Sequence, residues 1–200
     1  MFSAPAPAPP RLVLASTSPF RREILQKLGL PFDTAAPGAN EARMDQESPK
    51  ALVSRLAENK ARAVARDWPD ALIIGSDQVA CVDGEILGKP GNREKAEKQL
   101  SLAAGKTVTF YTGLCLLNSS SRQAQVCCEP FRVHFRQLNP AQIGRYLDRE
   151  QPFNCAGSFK SEGMGITLFS KLEGDDPNTL IGLPLIRLVE MLGNEVVELP

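Results

Sequence analysis

Arg11-Leu-Val-Leu-Ala-Ser-Thr-Ser-Pro-Phe-Arg-Arg22 decides the fold class. Its first half is a short apolar run suited to a buried strand. Ser18 is a good helix N-cap, and Pro19 suits the first helical position. Ile24, Leu25 and Leu28 then share one helical face, and Gly29 stops the helix. Strand, tight turn and helix in this order open an α/β fold.

The same grammar recurs outward. Pro31 to Ala36 reads as a second, weaker strand, and residues 37–47 as a polar loop. Ser48-Pro49 repeats the cap-plus-proline start of a helix running to about Arg66, with Lys60 on it. Ala71-Leu-Ile-Ile-Gly75 reads as a central strand, with Asp77 immediately after it. Asp83-Gly84, flanked by Gln78 to Val82 and Glu85 to Leu87, signals a hairpin. Asn92 caps a helix to about Ala104. Val108 to Leu117 and Gln123 to Arg136 read as a strand pair. Asn139-Pro140 begins a helix to about Arg149, and a last helix runs from about Pro184 to Leu192. The expectation is a disordered Pro/Ala-rich leader over 1–10 and a single α/β domain over 11–200.

Composition narrows the function. Lys plus Arg and Asp plus Glu are 23 each, so the chain lacks the cationic surplus of a nucleic-acid backbone binder or a polybasic membrane anchor. No apolar stretch approaches the length of a membrane span, and the leader has no signal-peptide pattern. A cytoplasmic location is expected. The cysteines at 81, 115, 127, 128 and 155 are odd in number and lack C-x-x-C spacing, against a disulfide framework or zinc ribbon. His134, the single histidine, falls in a strand. Chemistry must rest mainly on carboxylates, lysines, arginines and hydroxyls.

Three features carry it. Ser16 to Arg22 combines hydroxyls, a helix N-terminus and two arginines, which attract phosphate. It lacks the glycines of a Walker A loop, and an ordinary capped helix with surface arginines is the alternative. Asp77 could bind Mg²⁺, activate water, or both, or simply begin a turn. Glu41, Lys60 and Lys89 would suit a metal–triphosphate complex, and each alone would also suit a solvated surface.

Ala15-Ser-Thr-Ser-Pro-Phe-Arg-Arg22 resembles the Maf family of nucleoside triphosphate pyrophosphatases. The likeness continues through Glu41, Lys60, Ile74-Gly-Ser-Asp77, Gly88-Lys-Pro90, Phe110-Tyr-Thr-Gly113 and Ala156-Gly157, covering about residues 11–193. It implies an elongated mixed sheet flanked by helices, shared with inosine triphosphate pyrophosphatases, with two lobes around a nucleotide groove. It implies Asp77 as proton acceptor, Glu41 and Asp77 as ligands of Mg²⁺ or Mn²⁺, and Arg21, Lys60 and Lys89 as charge stabilisers. Ser16 would orient a phosphate oxygen, Arg22 would serve structure, and the chain would form a homodimer.

Within the family, Phe20, Gln78 and Glu162 resemble the branch acting on 7-methyl-GTP. The branch acting on dTTP and UTP is expected to carry Arg, Thr and Gln there. Phe20 itself departs from the Trp of some members. N7-methylation makes guanine cationic, so Phe20 would stack on it and Glu162 would accept its N1–H and amine. The alternatives are a pyrophosphatase for dTTP, UTP or a deaminated purine, and a nucleotide-binding regulator of septum formation.

Overall fold

The computed structural model describes residues 10–197 and 199. The leader expectation falls almost wholly outside them. Among the described residues, seven strands form one mixed sheet: β1 (Arg11–Leu14), β2 (Asp33–Thr34), β3 (Ala71–Val82), β4 (Glu85–Leu87), β5 (Thr107–Asn118), β6 (Ala124–Phe135) and β7 (Phe169–Glu173). Their order is β2-β1-β3-β5-β6-β7, with β4 paired to β3 as the expected hairpin. β1 is parallel to β2 and β3, and the other pairings are antiparallel.

Among the described residues, six α-helices flank the sheet: α1 (Pro19–Gln26), α2 (Pro49–Val64), α3 (Arg93–Ala103), α4 (Pro140–Glu150), α5 (Pro177–Ile181) and α6 (Leu185–Asn194). The caps read from sequence operate as expected. Ser18 Oγ accepts Arg21 N–H at 3.4 Å, Ser48 Oγ accepts Ala51 N–H at 3.2 Å, and Asn92 Oδ1 accepts Lys95 N–H at 2.9 Å. Asn139 and Gln142 form a reciprocal capping box.

Two strands differ from the expectation. Asp77 does not follow its strand, because β3 continues for 12 residues, paired with β5 from Leu72↔Asn118 to Cys81↔Thr109. Only the parallel partner β1 stops early, at Leu14↔Ile74. The expected strand over 31–36 contracts to Asp33 and Thr34, its pairing with β1 being two residues long. β7 and α5 were not expected at all.

The core divides along the strands. At one end Leu72 and Ile74 join Leu12, Leu14, Leu114, Leu116 and residues of α1 and α6. Ala71 and Ile73 join Ala57, Ala61 and Val64 of α2 on the opposite face. At the other end Ala80, Val82, Val108 and Phe110 pack with α3, α4 and a set of edge-to-face phenylalanines around Phe159. Between these ends lies a polar waist, Gly75-Ser-Asp-Gln78 on β3 beside Thr112 and Gly113 on β5. Backbone pairing holds the waist together, so its side chains are free for other work.

Candidate functional site

α2 packs directly against the backbone of the sheet at the waist. A Cβ on Gly75 would lie 2.0 Å from the Ala57 carbonyl oxygen, and one on Gly113 would lie 2.1 Å from that of Val53. Glycine within a strand commonly marks such an approach. Leu52, Leu56 and Lys60 continue one buried stripe of α2 at helical spacing. The stripe carries Lys60 over the waist, where Nζ meets Asp77 Oδ1 at 2.6 Å and Glu41 Oε1 at 2.8 Å. Lys60 and Asp77 are buried, while the Glu41 side chain is 62% exposed. A buried ammonium thus holds two carboxylates from distant parts of the chain.

More positive charge surrounds them. The hydrogen bond from Lys60 holds the Glu41 carboxyl below its ordinary range, helped by the charges of Lys60, Lys89 and Arg21 against a partial burial cost. Arg21 Nε donates to the Gly182 carbonyl at 2.8 Å. Burial lowers the Arg21 pKa, and Asp77 and Glu41 oppose that shift. Arg21, Lys60, Lys89, Glu41 and Asp77 therefore share one electrostatic neighbourhood.

The opposite face of the waist is anchored to α5 and to Gly182, which follows it. Ser76 Oγ donates to the Gly182 carbonyl at 2.8 Å. Gln78 Nε2 donates to Thr112 Oγ1 and the Thr179 carbonyl, both at 2.8 Å, and to the Leu180 carbonyl at 3.1 Å. Two carbonyl partners fix the amide orientation, since its oxygen would be repelled there. Thr112 Oγ1 donates to the Thr179 carbonyl at 2.9 Å. Asp176 holds this segment by accepting the N–H groups of Asn178 and Ile186 at 2.8 and 2.9 Å.

The remaining expected residues are more dispersed. Ser16 is buried at the end of β1, where its Oγ accepts Ser18 N–H at 3.1 Å. Phe20 is half-buried on α1, and Arg22 and Lys89 are exposed. Glu162 is exposed, and its carboxylate accepts the neighbouring Ser161 hydroxyl at 3.1 Å. Lys89 and Glu162 both act electrostatically on Cys155, as do Glu150 and Lys160. No described hydrogen bond joins Phe20 or Glu162 to the Lys60 cluster. His134 stands apart, paired with Thr107 Oγ1 at 3.0 Å.

Sequence reasoning missed Thr112, Asp176 and the α5 carbonyls as supports of the site. The interior glycines of Gly75-Ser-Asp77 and Thr112-Gly113 were the available signal for close backbone approach. Two depressions, of about 340 Å³ around Leu30, Phe32 and Leu192 and about 230 Å³ around Arg136, Arg145 and Arg149, lie elsewhere and include none of the cluster. Among the described residues, no group of three or more His, Cys, Asp or Glu is placed to hold a metal ion. Glu41 and Asp77 nevertheless offer hard oxygen donors around one cation, which suits Mg²⁺ or Mn²⁺ when phosphate oxygens complete the shell. All five cysteines are free, and no described helix is long and apolar enough to cross a membrane.

A family model described as "Maf-like protein" matches residues 11–195. A protein of Alcanivorax borkumensis named 7-methyl-GTP pyrophosphatase is 61% identical over 191 residues, covering 96% of this chain and 97% of its own. Proteins of the same name from Nitrosococcus oceani and Pseudomonas aeruginosa are 59% and 56% identical, covering 96% of this chain and 96% and 100% of their own.

Proposed function

The chain belongs to the Maf family, and from that membership we propose that it hydrolyses 7-methyl-GTP to 7-methyl-GMP and pyrophosphate. The observation that carries the chemistry is the Lys60 ammonium bridging Asp77 and Glu41 at 2.6 and 2.8 Å. The relatives' shared name supports the substrate.

Lys60 occupies Asp77 Oδ1 and so orients the carboxylate. The other oxygen, Oδ2, takes a proton from water as that water attacks the α-phosphorus. The new bond joins the water oxygen to the α-phosphorus, and the bond from that phosphorus to the α,β-bridging oxygen breaks. Pyrophosphate leaves with the bonding electrons. Arg21, Lys60 and Lys89 offset the charge that gathers on the phosphates. Ser16 supplies a hydroxyl to a phosphate oxygen, and Arg22 remains structural. Glu41 and Asp77 would hold the divalent ion, Mg²⁺ or Mn²⁺, which when bound screens the triphosphate and polarises its oxygens.

Phe20 offers an aromatic face to the cationic base, and Glu162 accepts from its N1–H and amine. A pyrimidine would leave Glu162 partly unpaired, which favours the methylated purine. The role is removal of a modified nucleotide before it is misused. Five free cysteines suit a reducing compartment, and we place the enzyme in the cytoplasm on that ground. A homodimer, implied by the family resemblance, belongs to the same proposal and is read by light scattering.

Pyrophosphate release with Mg²⁺ across 7-methyl-GTP, GTP, dTTP, UTP, CTP and ITP tests the reading. A strong preference for 7-methyl-GTP is expected. Activity confined to pyrimidine or deaminated nucleotides would overturn the substrate, and nucleotide binding without any turnover would point to the regulator. Asp77→Asn should lose about 10²- to 10⁴-fold in kcat while still binding nucleotide. Full activity in that variant would remove Asp77 as the base.

A further inference from the structure

Glu41 sits on a connection, residues 35–48, that contains no helix or strand. Packing does not hold its exposed side chain. The connection is instead tied to α2 by one arginine. Arg55 Nε donates to Glu47 Oε1 at 2.6 Å, and Nη2 donates to Glu47 Oε2 at 2.7 Å. The same Nη2 donates to the carbonyl of Ala42, the residue after Glu41, at 3.1 Å. Glu47 also gathers the intervening chain. Its Oε2 accepts Met44 N–H at 3.2 Å, and its carbonyl accepts Arg43 Nη2 at 2.8 Å. The fork is well covered, with the Glu47 side chain 8% exposed and that of Arg55 21%. α2 therefore carries both Lys60, which touches Glu41, and Arg55, which holds the backbone beside Glu41.

We propose that Arg55 and Glu47 are a positioning pair whose function is to present Glu41 to Lys60 and the reaction centre. This rests on the reading that Glu41 belongs to the catalytic machinery. Neither residue touches the reacting atoms. A lysine at 55 could not replace the arginine fully, because one ammonium cannot satisfy both Glu47 oxygens and the Ala42 carbonyl in fixed directions.

The test combines Arg55→Met, Arg55→Lys and Glu47→Gln, each alone and with Glu41→Gln. The readouts are kcat, half-saturating Mg²⁺, thermal midpoint, and amide hydrogen exchange of residues 37–47 in the metal-free protein. Supports around metal ligands are typically worth about 10- to 100-fold in metal affinity or activity. Arg55→Met is expected to raise half-saturating Mg²⁺ and lower kcat together within about that range, with Arg55→Lys and Glu47→Gln between it and the parent. Exchange over 37–47 should quicken in all three while the sheet core stays protected. In the Glu41→Gln background, Arg55→Met should add less than about twofold, since coupled residues are non-additive. Equal losses in both backgrounds, or unchanged exchange over 37–47, would overturn the pair. Full activity of Glu41→Gln alone would instead overturn the reading of Glu41 beneath it.

Discussion

Asp77 and Gln78 are neighbours in the chain and face opposite sides of the sheet. Asp77 meets Lys60 of α2 at 2.6 Å, while the Gln78 amide is bound to the carbonyls of Thr179 and Leu180 in α5. The cause is the period-two alternation of a strand that continues through both residues. Asp77 pairs with Gly113, whose missing side chain leaves room for α2, and Gln78 pairs with Thr112, which joins it on α5. One strand thus serves the reaction on one face and fixes a supporting turn on the other.

Gln78→Ala removes the side-chain donor to the Leu180 carbonyl and one of the donors to the Thr179 carbonyl, which keeps Thr112 Oγ1, so it should lower stability by about 1–3 kcal/mol. KM for 7-methyl-GTP should rise with little change in kcat. Denaturant melts and steady-state kinetics read both. A large fall in kcat at unchanged stability would mean that Gln78 reaches the reacting atoms.

Removing Lys60 leaves a buried carboxylate without its cation. Lys60→Met should cost about 3–5 kcal/mol, the usual penalty for breaking a buried pair from one side. The double variant Lys60→Met with Asp77→Asn should regain part of that loss, because no buried charge then lacks a partner. A double variant as unstable as the sum of the singles would contradict the pairing.

Gly75→Ala places a methyl 2.0 Å from the Ala57 carbonyl. Overpacking of this kind costs about 1–3 kcal/mol or more. α2 must move to relieve it and carries Lys60 along, so activity should fall more steeply than stability. A variant with parental kcat would show that the Lys60–Asp77 spacing is not critical.

Glu47 gives a pH signature. Its hydrogen bonds with Arg55 pull the carboxyl from 4.5 to about 2. A depressed carboxyl stabilises the fold above its unfolded pKa and loses that contribution as pH falls through the folded one. The gap in thermal midpoint between the parent and Glu47→Gln should be constant above about pH 5 and shrink progressively toward pH 2. A gap that widened on acidification would have the wrong sign.

Much of this was legible in the chain. Ser18, Ser48, Asn92 and Asn139 announce four helix starts because capping is local chemistry. The Asp83-Gly84 hairpin is equally local. β7 was not legible because its middle residues, Ser170, Lys171 and Leu172, are exposed and show no alternation. The position of Asp77 within its strand depends on pairing with β5, which lies more than thirty residues later. The grouping of Glu41, Lys60 and Asp77 depends on α2 approaching two glycines, and the Arg55–Glu47 fork on a contact between a loop and a helix. Those are products of tertiary packing, and the resemblance to the family supplied the members of the cluster before the geometry did.

The most direct test of the chemistry is hydrolysis of 7-methyl-GTP in ¹⁸O-labelled water, with both products examined by mass spectrometry. Attack at the α-phosphorus by water activated at Asp77 places the label in 7-methyl-GMP and leaves pyrophosphate unlabelled. Label in pyrophosphate, or release of orthophosphate in its place, would contradict the mechanism.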